Sequence, residues 1–235
     1  MRILVINPNT TASMTAKIGA AAKGVAAQGT EIIAVNPRSG PASIEGYYDE
    51  AISLAGLLQV IGEHPGVDAI VLACFDDSGL DAARCLADCP VVAIGEAAFH
   101  TASLLANKFS VVTTLARSVP AIEHNLHRYG LAARCARVRS SEVAVLDLEH
   151  EAGPARAKID VEIRRAMDED RAEAIVLGCA GMADLTASLS ARHGLPVLDG
   201  VACAVTLCEG LVRLGLKTSR LGGYAAPAKK DRKSA

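Results

Sequence analysis

Asp68-Ala69-Ile70-Val71-Leu72-Ala73-Cys74 and Glu173-Ala174-Ile175-Val176-Leu177-Gly178-Cys179 decide the fold of this chain, because five of the seven aligned residues are identical. The register continues on both sides. Pro90-Val91-Val92 begins 16 residues after Cys74, and Pro196-Val197-Leu198 begins 17 after Cys179. Upstream, Ile3 to Ile6 leads to Asn7, 67 residues before Cys74, and Phe109 to Val112 leads to Thr113, 66 before Cys179. Any two α/β segments can share one Ala-Ile-Val-Leu run. Three landmarks in register indicate a duplicated unit.

Runs this short, β-branched and bounded by turn residues read as buried strands. They are expected near 2–6, 31–35, 68–73, 91–94, 109–112, 135–139, 173–178 and 196–198. Helical periodicity fills the gaps: a first helix capped by Thr10, Thr11 or Ser13 and running to about Gln28, then 48–63, 78–87, 96–107, 117–129, 155–169, 182–192 and 201–214. Pro154 suits a first helical turn. The expected fold is therefore α/β: two similar lobes, each a four-stranded parallel sheet flanked by helices, related by a pseudo-twofold axis with a site between them. Residues 1–97 plus 201–222 are expected to form the first lobe, 98–200 the second, and 223–235 a flexible, solvated tail.

Composition narrows the function. Of 235 residues, 51% are apolar but only 3% aromatic, and the formal charge is −2 with Lys and Arg clustered only in the tail. Nucleic-acid binding is not expected, since that needs a basic stripe and stacking rings. Nor is a membrane or export segment: Ile3 to Ile6 is cut by Asn7-Pro8-Asn9, and Ala69 to Phe75 is far below the ~18 residues of a span. The 7 cysteines read as reduced thiols in the cytoplasm. The glycines at Gly19, Gly24 and Gly29 make no dinucleotide fingerprint, and no phosphate-binding loop exists, so no cofactor is signalled.

Ligands bind outside the carboxyl ends of parallel strands. Cys74 and Cys179 each stand at such an end, before turns that lead into helices. A thiol near a helix N-terminus is expected to have its pKa lowered from about 8.5. Two such groups flanking one carbon suit removal of a proton from one face and its return to the other, with turn amides holding the enolate oxygen between the steps. Core filling is the alternative for both, and it is the expectation for Cys85, Cys89, Cys135, Cys203 and Cys208. No histidine pair accompanies the loose Cys85/Cys89 and Cys203/Cys208 spacings, so no metal site is expected. His64, His124, His127, His150 and His193 read as solvated surface, and His100 as an interior histidine. Asp76 and Asp77 read as caps of the next helix, and Asp199 as a tie across the lobe boundary.

Four motifs in order resemble the hydantoin racemases of the cofactor-independent aspartate/glutamate racemase superfamily: Asn7-Pro8-Asn9-Thr10-Thr11, Pro41-Ala42-Ser43-Ile44-Glu45-Gly46-Tyr47-Tyr48-Asp49-Glu50, Ala73-Cys74-Phe75-Asp76-Asp77-Ser78-Gly79-Leu80 and Leu177-Gly178-Cys179-Ala180-Gly181-Met182. The resemblance runs to about Arg220. It implies a two-cysteine, two-base racemase inverting C5 of 5-monosubstituted hydantoins, with Cys74 and Cys179 as alternating acid and base, no cofactor, and a homo-oligomer. Glutamate racemases fit less well, since the first-strand loop reads Asn-Pro-Asn and no Lys or Arg stands in these loops to take a carboxylate. Allantoin racemases share most of the pattern. A cyclic-amide binding protein with incidental cysteines is the alternative from another class. For the small-molecule substrate, Asn7, Asn9, Thr113 and Thr114 are expected to bind the ring or else to form turns and caps. Pro41, Ser43 and Ile44 are expected over the 5-substituent on a loop hinged at Gly40 and Gly46. Phe75 reads as an apolar wall or lobe packing, and Asp76, Ala180 and Gly181 as turn contacts to the substrate.

Overall fold

The computed structural model describes residues 1–149 and 154–228; His150 and the tail residues from Lys229 onward lie outside them. The first repeat runs β1 (Arg2–Ile6), α1 (Ala12–Val25), β2 (Glu31–Val35), α2 (Tyr47–Glu63), β3 (Ala69–Leu72), α3 (Leu80–Leu86), β4 (Val91–Ala93) and α4 (Ile94–Leu105). The second runs β5 (Phe109–Thr113), α5 (Val119–Arg128), β6 (Cys135–Ser140), α6 (Ala155–Glu169), β7 (Ala174–Gly178), α7 (Thr186–His193), β8 (Val197–Asp199) and α8 (Gly200–Arg213). Each repeat forms a parallel four-stranded sheet. The orders β2-β1-β3-β4 and β6-β5-β7-β8 are the same path drawn twice.

Strand alternation sorts the side chains into three cores. Ile3, Val5, Val71, Val111 and Val176 point into one core that crosses from sheet to sheet. Leu4, Ile70 and Leu72 point outward against Leu57, Val60 and Leu80, while Ile175 and Leu177 meet Ile159, Ile163 and Leu189. Both faces of every central strand are therefore covered, which is why these strands read as continuous apolar runs. Phe99, with no exposed surface, centres the shared core, its ring 5.3 Å from Phe75 edge-on and 6.1 Å from Phe109 stacked. Such pairs add about 0.5–1.5 kcal/mol each beyond their buried area.

Two helices knit the sheets together. α8 packs on β3 and β4 of the first sheet, α4 packs on β7 and β8 of the second, and the two helices pack on each other. Their N-termini meet where Gly200 leaves no room for a Cβ, which would stand 2.5 Å from the Ile94 carbonyl oxygen. The boundary expected between residues 97 and 98 thus falls inside α4.

Several local expectations are corrected. α1 stops at Val25, short of Gln28. A 3-10 helix, Ala180–Leu185, precedes α7 in place of one continuous helix from 182. His100 is exposed: Phe99 takes the inward position on α4, and one residue of helix turns its neighbour about 100° away. The His193 side chain is only 5% exposed and lies 3.0 Å from Asp160. Gly222–Tyr224, expected to begin the solvated tail, is held on α3, where Cys85 Sγ donates to the Gly223 carbonyl and Tyr224 Oη to Asp81. Asp77 caps α4 instead of α3. Its carboxylate accepts from the Gly95 and Glu96 amides, both at 2.8 Å, and from Tyr129 Oη at 2.8 Å.

The crossing of α4 and α8 generates a stability prediction. Gly200→Ala forces Cβ into backbone and is expected to cost about 1–3 kcal/mol in denaturant unfolding. Gly24→Ala, in α1 with nothing within 4 Å of the new methyl, is expected to be neutral or stabilising by up to about 1 kcal/mol. Equal effects at the two sites would refute the tight crossing.

Candidate active site

The four central strands end at one cavity. β1 delivers Asn7, Pro8 and Asn9; β3 delivers Ala73 and Cys74; β5 delivers Thr113 and Thr114; β7 delivers Gly178 and Cys179. Both sulfur-bearing residues, one per repeat, line this space. Gly178 lets the strands approach, because a Cβ there would lie 2.8 Å from Thr113 Cβ. The duplication extends to the sulfur environment: the backbone two residues on, at Asp76 for Cys74 and at Gly181 for Cys179, favours the thiolate in each case. Ser78 Oγ stands a further 3.8 Å from Cys74 Sγ.

Burial, however, reverses the expected thiol chemistry. Desolvation pushes the Cys74 thiol well above its ordinary value, with the Asp76 charge adding to the rise. Desolvation pushes Cys179 up to about 12, again with Asp76 contributing. That backbone help does not offset the loss of water around a thiolate. The expectation of a lowered pKa fails for a geometric reason as well. α3 starts only at Leu80, after a turn containing two left-handed residues, Asp77 (φ 53°) and Gly79 (φ 75°), so its N-terminus is not next to Cys74.

The polar residues divide into those spent on structure and those turned to the cavity. Asn7 Nδ2 donates to Asn9 Oδ1 at 2.8 Å and Thr15 Oγ1 at 3.0 Å, and Asn9 Oδ1 also accepts from the Thr11 amide at 2.9 Å. The turn-forming role is real for both, yet Asn9 Nδ2 meets only the Met14 thioether, at 3.3 Å. Thr113 Oγ1 is committed to the Gly178 carbonyl at 2.9 Å. Among the described residues, the hydroxyls of Thr114 and Ser118 donate to nothing, and both residues line the cavity. Ser118 carries no sequence motif; the short 3-10 turn Ala116–Ser118, closed by its amide on the Leu115 carbonyl at 3.0 Å, brings it into the cavity lining. Met14, Val145, Pro8, Ala73 and Gly178 are further lining residues found only in three dimensions.

Ile44, Phe75, Asp76 and Ala180 line the cavity as expected, whereas Pro41, Ser43 and Gly181 do not. Pro41 anchors its loop instead, its carbonyl accepting from the Thr10 amide at 2.9 Å and from Thr10 Oγ1 at 3.2 Å. Ser43, next along that loop, is kept off the cavity by the same anchorage; Ile44 turns inward in its place. Gly181 lies behind Cys179, where a Cβ would meet Leu148 at 3.1 Å. The loop carrying Ile44 is tied across the lobes. Glu45 Oε1 accepts from the Val145 amide at 2.8 Å, and Lys17 Nζ donates to the Leu148 carbonyl at 3.0 Å. Ile44 and Val145 thereby roof the cavity, which holds about 40 Å³, room for about three waters.

Against this geometry, the comparisons with known proteins agree. The family model for Asp/Glu/Hydantoin racemase matches residues 3–208. A hydantoin racemase of Pseudomonas sp. (strain NS671) is 48% identical over 98% of this chain and 94% of its own length, and that of Paenarthrobacter aurescens is 41% identical over 98% and 99%. Among solved structures, an allantoin racemase from Klebsiella pneumoniae superposes with a TM-score of 0.97 at 50% identity, covering 100% of this chain and 96% of that one. Two sheets of the same order, two cysteines at matching strand ends and these likenesses over nearly the full length lead to one conclusion: the chain belongs to the Asp/Glu/Hydantoin racemase family.

Proposed function

We propose that this racemase inverts C5 of 5-monosubstituted hydantoins by a two-thiol mechanism, and the observation that carries the reading is the lining of one cavity by both Cys74 and Cys179. One sulfur enters as thiolate and removes the C5 proton, becoming a thiol. The electron pair passes into the adjacent carbonyl to give an enolate, and the opposite thiol returns a proton to the other face. The roles are then exchanged, and the enantiomer is processed in reverse. Thr114, Ser118 and Asn9 supply donors suited to the ring oxygens, the enolate oxygen among them, and a donor aimed at developing charge in a dry site is worth about 3–4 kcal/mol. The allantoin racemases of Klebsiella pneumoniae and Pseudomonas fluorescens, 50% and 44% identical with TM-scores of 0.97 and 0.96, favour a second, narrower reading. Allantoin is itself a hydantoin, with a ureido group at C5.

Incubation of one enantiomer in heavy water tests the class. The enzyme is expected to place deuterium at C5 while optical rotation decays, whereas a binding protein would do neither. Cys74→Ser and Cys179→Ser are each expected to lower racemisation by at least about 10²-fold, the scale of a lost acid–base group, and one of them to retain exchange on a single face. Full activity in both variants would refute the assignment.

The raised thiol pKa values give a direction for pH. The base must be a thiolate, and below its pKa the thiolate fraction grows about tenfold per pH unit. The thiol–thiolate pair titrates jointly, so kcat/KM is expected to rise from pH 7 to pH 9. A flat or falling profile would count against burial-suppressed thiols.

A further inference from the structure

Asp76 is the one charged side chain that lines the cavity among the described residues. It is 8% exposed, and its carboxylate accepts no hydrogen bond from any described residue. Its backbone, by contrast, is held: the carbonyl accepts from Asn125 Nδ2 at 2.8 Å. The adjoining Asp77 shows what a satisfied buried carboxylate looks like here, with three donors at 2.8 Å. The Asp76 oxygens keep accessible surface and, with no protein donor, are open to N–H groups from a bound molecule. Arg128, which lines the neighbouring cavity with Asp76, is paired with Asp81 at 2.5 Å.

Its position indicates which N–H groups. Asp76 belongs to two cavities at once: the one with the sulfurs, and a neighbouring one of about 500 Å³ between Tyr47 and Glu50 of α2 and His124 and Arg128 of α5. With C5 between the sulfurs and the ring amides against Asn9, Thr114 and Ser118, Asp76, two residues from Cys74, stands on the way from C5 into the second cavity. We propose that Asp76 determines specificity by accepting N–H groups of the C5 substituent, so that ureido, carbamoyl or amino substituents are preferred over alkyl ones, with their far ends seated in the second cavity. This rests on the racemase reading above and narrows its substrate class.

The test uses two substrates of matched shape, 5-ureidohydantoin and 5-isobutylhydantoin, whose substituents have the same number of heavy atoms and the same branching. C5 deuterium exchange gives kcat/KM for both with the wild type, Asp76→Asn and Asp76→Leu, whose folding is checked by circular dichroism. The wild type is expected to prefer the ureido compound at least tenfold. Asp76→Leu is expected to cut that preference at least tenfold, and Asp76→Asn, which keeps a neutral acceptor, by less. Any effect of Asp76 on the thiols cancels in the ratio. Loss of both activities by one factor would overturn the proposal and assign Asp76 to the ring or the sulfurs. A wild type without ureido preference would overturn it too, even if Asp76→Leu fails to fold. Absence of exchange with either substrate would instead refute the racemase reading, and the proposal with it.

Discussion

Removal of water from two thiols placed in one cavity is the constraint on which the site depends. A thiolate in that cavity lacks solvation, and the nearby backbone at each sulfur, with Ser78 at Cys74 and Lys17 near Cys179, compensates only in part. The resting pair is therefore held largely protonated, and the Asp76 carboxylate reinforces this. The same dryness makes every donor around the cavity count for more once charge develops on a bound ring. Suppressed nucleophilicity at rest and, in the proposed reaction, stabilisation of an enolate both follow from one burial.

The cavity exists because the two sheets are fastened in one relative position. α4 and α8 are exchanged between the sheets and cross at Gly200, and the Phe75–Phe99–Phe109 cluster fills the space beneath the cavity. Phe75 is both wall and packing, a wall residue whose ring edge is fixed by Phe99 at 5.3 Å. Across the top, the Glu45–Val145 and Lys17–Leu148 contacts are polar and few. The molecule is thus rigid at the strand ends, where the proposed proton transfer calls for fixed sulfurs, and lightly fastened across the top of the cavity.

Much of this was legible before any coordinates. The strands ended within about two residues of their expected bounds because most are short apolar runs bounded by polar or turn residues, such as Asn-Pro after β1 and β2 and Cys179 after β7, and the repeat located the two cysteines at equivalent strand ends. Where the reading failed, the information was not local. Asp77 looked like a cap for the helix that follows it, but its carboxylate reaches α4, 18 residues on. His100 shares its helix with Phe99, and only the packing of α4 says which of the two faces inward. Ser118 carries no motif, and Pro41 carries one whose purpose is to anchor a loop.

Taken alone, the chain determined two copies of one α/β unit, the strand positions, the cysteine pair and the family likeness, because hydrophobic period, turn chemistry and duplication are all encoded in neighbouring residues. Tertiary structure decided the rest: which polar groups remain unpaired, how far each thiol is desolvated, and which segments roof the cavity. Those properties depend on atoms from residues far apart in the chain, as between Lys17 and Leu148, 131 positions apart. Burial and hydrogen-bond satisfaction are sums over all neighbours in space, and no local pattern contains that sum.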